Sequence, residues 1–114
     1  MGEGRPMGRE IDEAWVEEAI ERYRRIEALQ AEFERAVRRA EVTVRSPDGL
    51  VELVVTADGT ISDLRFLGSL QVRGGAEVAR SVLSALSAGE DAARWAREKL
   101  RTEVFGEYRR LTEA

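Results

Sequence analysis

An α+β fold, made of a long helix, a three-stranded antiparallel meander and a second long helix, is predicted by three observations. Residues 9 to 40 and 75 to 103 carry apolar residues at helical spacing. Between them lies VTVRSPDGLVELVVTADGTISDLRF, residues 42 to 66, rich in branched apolar residues. Two turn signals, Ser46-Pro47-Asp48-Gly49 and Ala57-Asp58-Gly59-Thr60, cut that stretch into three runs.

The first helix rests on Trp15, Ala19, Ile26, Leu29, Phe33, Ala36 and Ala40, which follow alternating spacings of three and four and draw one narrow stripe. Asp12 and Arg22 interrupt it, so the stripe is strongest from Ile26 onward. A helix over Arg9 to Ala40 would be about 48 Å long at 1.5 Å per residue. A chain of 114 residues cannot cover that length alone. Part of the helix must meet solvent or another chain, and a thin seam of this kind suits a helical partner.

The meander can be registered residue by residue. Taking Asp48-Gly49 and Asp58-Gly59 as two-residue hairpin turns pairs Val44 with Leu53, Leu53 with Leu64 and Val42 with Val55, and puts Ser46, Val51 and Phe66 in one row. One face is then Val42, Val44, Val51, Leu53, Val55, Leu64 and Phe66. The other carries Thr43, Val54 and Asp63, and a row of Arg45, Glu52 and Arg65 with opposite charges side by side. A slip of one residue would scramble both faces. Pro47 offers a variant in which a longer turn, with Gly49 as a bulge, changes the first pairing and keeps the meander.

The second helix, from near Gly75 to about Glu103, is striped by Val78, Val82, Ala85, Leu86, Gly89, Ala93, Ala96 and Leu100. Its small residues, Ala85, Gly89, Ala93 and Ala96, allow close approach of a neighbour. Ser87 and Glu90 match a capping box, which would break the helix there. The stripe passes through Gly89 without a phase change, which favours one continuous helix. The domain plan is a Gly-rich tail over 1–8, a single domain over 9–106 and a C-terminal tail over 107–114 that frays after Gly106.

Composition limits the chemistry. There is no cysteine and no histidine, and Lys99 is the single lysine among 18 basic residues. Disulfides, thiolate catalysis, the commonest metal ligand and the commonest general base are all missing. A non-enzymatic protein without cofactor or metal is expected. Glu10, Glu13 and Glu17 share a helix face and would be the carboxylates of a metal site, but they read more simply as a solvated helix start. No apolar run is long enough to span a bilayer, and no signal-peptide core is present, so no membrane contact and a cytoplasmic location are expected.

At this point the order of elements, the meander with its two Asp-Gly turns and the helix VARSVLSALSAGEDAARWA resemble the YbaB/EbfC family of nucleoid-associated proteins over residues 9 to about 103. The arginine-heavy composition and the SPDGLVE wording resemble its actinobacterial branch, some members of which accompany type VII secretion genes. The resemblance implies a tweezer-like homodimer in the bacterial nucleoid that bridges or coats double-stranded DNA. A lone three-stranded sheet has two open edges and little core, so pairing across a two-fold axis would bury its apolar face. Val42, Val44, Val51, Leu53, Val55, Leu64 and Phe66 are the expected dimer interface.

DNA contact would fall to two arginine groups: Arg35, Arg38 and Arg39 at the end of the first helix, and Arg94, Arg97 and Arg101, spaced three and four, on the second. Guanidinium groups suit phosphate because they donate in a fixed fork. The plainer reading is a set of solvated faces with Glu21-Arg25, Glu34-Arg38 and Glu90-Arg94 as intrahelical pairs. Residues 1 to 45 hold 9 basic and 11 acidic groups, and residues 94 to 110 hold 6 basic and 3 acidic. Binding through few phosphates would be sequence-tolerant and salt-sensitive. With a net charge of -4, the alternative is a protein-interaction module of the same fold that does not bind DNA, an accessory of type VII secretion with a protein partner. Trp15 and Trp95 are expected to pack in a core or against the other subunit.

Overall fold

The computed structural model describes the backbone of residues 4–113 and the side chains of residues 12–106. Its elements are α1 (Gly4–Arg39), β1 (Glu41–Arg45), β2 (Val51–Thr56), β3 (Ile61–Phe66) and α2 (Gly75–Glu113). The predicted α+β order is therefore the observed one, with a sheet of order β1-β2-β3 and both pairings antiparallel. The chain divides into two units, residues 1–32 and 33–114. The boundary falls inside α1, whereas the sequence suggests one domain over 9–106.

Both helices extend beyond their periodic stretches. α1 begins at Gly4 and α2 continues to Glu113, so the backbone is helical where it is described in the tails expected at 1–8 and 107–114; their side chains lie outside the described residues. Gly106 does not end α2, because Phe105 just before it is anchored on Phe33, with ring centroids 5.8 Å apart, and good helix formers follow it. α2 also passes through Ser87 and Glu90 unbroken.

The two hairpin turns share one construction. Ser46-Pro47-Asp48-Gly49 closes with the Gly49 amide donating to the Ser46 carbonyl at 2.9 Å, and Thr56-Ala57-Asp58-Gly59 closes with the Gly59 amide donating to the Thr56 carbonyl at 2.9 Å. The glycines have φ of 73° and 91°, a backbone region open chiefly to residues without a Cβ. In each turn the aspartate Oδ1 accepts from the hydroxyl two residues before it, Ser46 or Thr56, and from the amide two residues after it, Leu50 or Thr60, both amides at 3.1 Å.

They differ in length. Ser46 donates to the Val51 carbonyl, enclosing the four residues Pro47 to Leu50, while Thr56 donates to the Thr60 carbonyl, enclosing only Ala57 to Gly59. Neither is a two-residue turn; Pro47 starts the longer form in the first. The predicted register survives in β1 and β2 and in most of β3: Val42↔Val55, Val44↔Leu53, Arg45↔Glu52, Leu53↔Leu64 and Val51↔Phe66. In the second hairpin it survives because a bulge at Ser62 offsets the odd loop length. Val55 pairs with Ile61 and Val54 with Asp63, and the Ser62 hydroxyl donates to the Val54 carbonyl at 3.2 Å.

In the second unit α2 lies across β1 and β2. Leu50, Val51, Leu53, Val55, Ala85 and Ala93 are buried together, with Val42, Val44, Val78, Val82 and Leu86 packed around them. Gly89 is the closest approach: a Cβ there would stand 2.8 Å from Leu53 Cδ2 and 3.1 Å from Val55 Cγ1. The small-residue stripe is thus spent on the sheet of its own chain. A second cluster, Val37, Ala57 and Ala96 with Phe33, Ala40, Val42 and Leu100, joins the end of α1 to α2 and the β2–β3 turn. Among the described residues, no helix is long and apolar enough to cross a membrane.

Candidate nucleic-acid interface and apolar edge

Three segments converge at the end of the sheet where β2 turns into β3. The Ala57 amide donates to the Ala40 carbonyl at 2.9 Å and the Asp58 amide to the Val37 carbonyl at 3.1 Å, so the turn caps the open carbonyls that end α1. From the other side, Arg97 Nε on α2 donates to the Ala57 carbonyl at 3.2 Å. Asp58 is held below its usual carboxylate range, first by the Thr56 hydroxyl, then by the Thr60 amide, with the positive charge of Arg38 as a smaller cause. Arg38 and Arg97 therefore stand on either side of one turn.

The six candidate arginines divide accordingly. Arg35, Arg38 and Arg39 are exposed, the last two in the final turn of α1 where they also favour the negative end of the helix dipole. Arg94 is exposed and pairs with Asp91 at 3.3 Å. Arg101 is exposed, its guanidinium 5.1 Å from the centre of the Phe33 ring and 3.8 Å from Glu98. Arg97 is half-buried and committed to a backbone carbonyl, so its first role is to hold the turn against α2. Among the described residues the ion pairs do not include Glu21-Arg25, Glu34-Arg38 or Glu90-Arg94. Trp95 is 64% exposed with Lys99 Nζ 5.2 Å from the ring centre, and Trp15 is equally exposed; neither packs in a core of this chain.

The seven residues expected to meet a second subunit are also divided, because one face of a sheet cannot serve two neighbours. Val51, Leu53 and Val55 are buried under α2, and Val42 and Val44 pack against them. Only Leu64 and Phe66, on β3, are open, at 37% and 43% exposure. Ile61, 50% exposed, joins them, since the Ser62 bulge brings it opposite Val55. Strict alternation would put Ile61 on the opposite face; polar Ser62, standing where alternation wants an apolar residue, is the sequence signal of the bulge. Leu67, Leu70 and Val72 continue the exposed apolar surface beyond the strand.

Between uncovered β3 and α2 runs a groove of about 390 Å³ with Leu53, Val55, Ile61, Leu86, Gly89 and Ala93 along it and Glu90, Arg94 and Arg97 at its rim. At the opposite end of the sheet Asp48 Oδ2 accepts from the buried Ser81 hydroxyl and from Arg73 at 3.4 Å, and Arg73 also reaches Glu77 at 3.3 Å. Asp48 is lowered to about 2, chiefly by the Ser46 and Ser81 hydroxyls. This cluster ties the start of α2 to the first hairpin.

The fold thus defines an α+β helix–meander–helix protein with an arginine-bearing end and an apolar edge. No protein-family model and no curated protein matches the chain. Among solved structures, an uncharacterized protein from Helicobacter pylori is similar, with 23% identity and a TM-score of 0.58 over 70% of this chain and 88% of that one. The likeness is one of fold.

Proposed function

We propose that the protein is a homodimeric, nucleoid-type DNA-binding protein of the YbaB/EbfC kind that contacts the phosphate backbone with little sequence preference. The observation that carries this reading is the convergence at the β2–β3 turn, which gathers arginines from two helices far apart in sequence onto one end of the fold. Arg35, Arg38, Arg39, Arg94 and Arg101 are the phosphate donors in this reading, and Arg97 positions the turn between them. The second subunit meets the open β3 edge, where Ile61, Leu64 and Phe66 leave an apolar row next to unpaired strand backbone. A two-fold axis there would place two arginine ends on one assembly.

The test is affinity for a random-sequence duplex across a salt series, with the oligomeric mass measured alongside. Binding that weakens steeply with salt is expected, and Arg39→Glu with Arg94→Glu should reduce the salt slope by about two, roughly one per lost contact. These positions are exposed, so the variant should keep its fold. An unchanged slope in the folded variant would remove the site assignment. A dimer without affinity at low salt would instead support the protein-interaction module, which the six carboxylates between Glu10 and Glu21 favour.

A further inference from the structure

In the first unit the backbone is one helical stretch from Gly4 to Glu32, and four of its large apolar side chains are open. Trp15 and Tyr23 are 64% exposed and Val16 and Ile20 are 45% exposed. At 3.6 residues per turn, Trp15, Ala19, Tyr23, Val16 and Ile20 fall within one arc of about 140°. Val16 lies in a shallow depression ringed by Asp12, Glu13 and Glu17. Ile20 lies in another, bordered by Glu17, Glu18 and Glu21, with Arg24 at its far end. Val16 and Ile20 thus each come with carboxylates beside them.

Charge decides what fits such a surface. Residues 10 to 21 contain six carboxylates and no lysine or arginine. That stretch repels DNA, an anionic membrane surface and the same stretch of a second copy laid alongside it in parallel. We infer that it docks a basic amphipathic helix from another protein. The partner's apolar residues, spaced three and four, cover Trp15, Val16 and Ile20, and its flanking lysines or arginines meet Asp12, Glu13 and Glu17, the carboxylates that ring Val16. Such a partner loses little on approach, because the exposed carboxylates keep much of their water while the aromatic and branched side chains lose theirs. The inference does not depend on the arginine end: the duplex measurement and the one below fail independently.

The probe is a helical peptide of leucine and lysine with the leucines at alternating spacings of three and four, titrated into the full chain carrying Trp95→Phe so that Trp15 is the sole indole. A saturable blue shift of Trp15 emission at one peptide per chain is expected, weakening as salt rises. Val16→Ser with Ile20→Ser should weaken it roughly tenfold or more, and a peptide with glutamate in place of lysine should give no shift. Circular dichroism checks that the variant keeps its helix. Three results would overturn the inference: no shift; equal binding of a scrambled peptide of the same composition; or equal binding by the Ser variant. A fourth is Trp15 emission that is already blue-shifted and moves with protein concentration alone, which would make a second copy the occupant.

Discussion

Asp48 and Asp58 occupy the same position in two hairpins, yet their surroundings differ. Both accept from a hydroxyl and an amide within their own turn, but Asp48 is also bonded to Ser81 and Arg73. A carboxyl lowered in the folded state contributes stability above its unfolded pKa and loses that contribution as pH falls through the folded one. For Asp48 the window runs from 3.8 down to about 2. Asp48→Asn should lower the melting temperature at neutral pH and flatten the loss of stability across that window, and Asp58→Asn should cost less because the hydrogen bonds of its carboxylate stay within the hairpin. Thermal melts along a pH series decide this. Equal acid dependence in wild type and Asp48→Asn would show that the Asp48 charge carries no weight in acid stability.

At the scale of elements, the docking of α2 on β2 turns on Gly89. A glycine inside a helix costs about 1 kcal/mol relative to alanine, and here the space is needed because Leu53 and Val55 stand where a Cβ would go. Gly89→Val adds branched bulk at this contact and should destabilise the protein by about 1–3 kcal/mol, the usual range for overpacking. Leu53→Ala, emptying the same contact from below, should cost about 2–5 kcal/mol. Denaturant melts measure both. A Gly89→Val protein as stable as wild type would mean that α2 lifts from the sheet without penalty. The β2–β3 hairpin shows a different kind of control: its short turn and its Ser62 bulge each displace the register by one residue, in opposite senses, so Leu64 and Phe66 still face the side that α2 shares.

For the whole molecule, α2 covers two strands of a three-stranded sheet and leaves β3 open. If the open row is the subunit contact, Phe66→Glu should shift the protein from dimer to monomer in sedimentation, because a carboxylate at the centre of an apolar contact must be desolvated without a partner. Arg65→Glu, a neighbour on the other face of the strand, should leave the mass unchanged, its effects confined to that face, where it loses the bond to Asp63 and sets a carboxylate opposite Glu52. Dimers that persist in Phe66→Glu would move the subunit contact away from β3. Substitutions of Arg35, Arg38 or Arg39, none of which lines the groove beside β3, should not alter the mass, so assembly and the proposed nucleic-acid affinity can be tested apart.

Whatever depends on near neighbours along the chain is legible in the residue pattern. Helical spacing determined the two helices and their continuity through Gly89, and strand alternation with the Asp-Gly turns determined the meander and the pairings Val44↔Leu53 and Leu53↔Leu64. These features repeat every two residues or every 3.6, so they are written in the local pattern. Which neighbour each apolar surface meets follows instead from long-range packing. Val51, Leu53 and Val55 could have faced a second subunit, and they face α2 because Gly89 lets that helix come close enough to cover them. Arg97 looked like Arg94 and Arg101 in the sequence, and became a structural residue because the β2–β3 turn brings the Ala57 carbonyl to it from 40 residues away. Periodicity states that a surface is apolar or basic; the packing of distant segments decides what remains open for a partner.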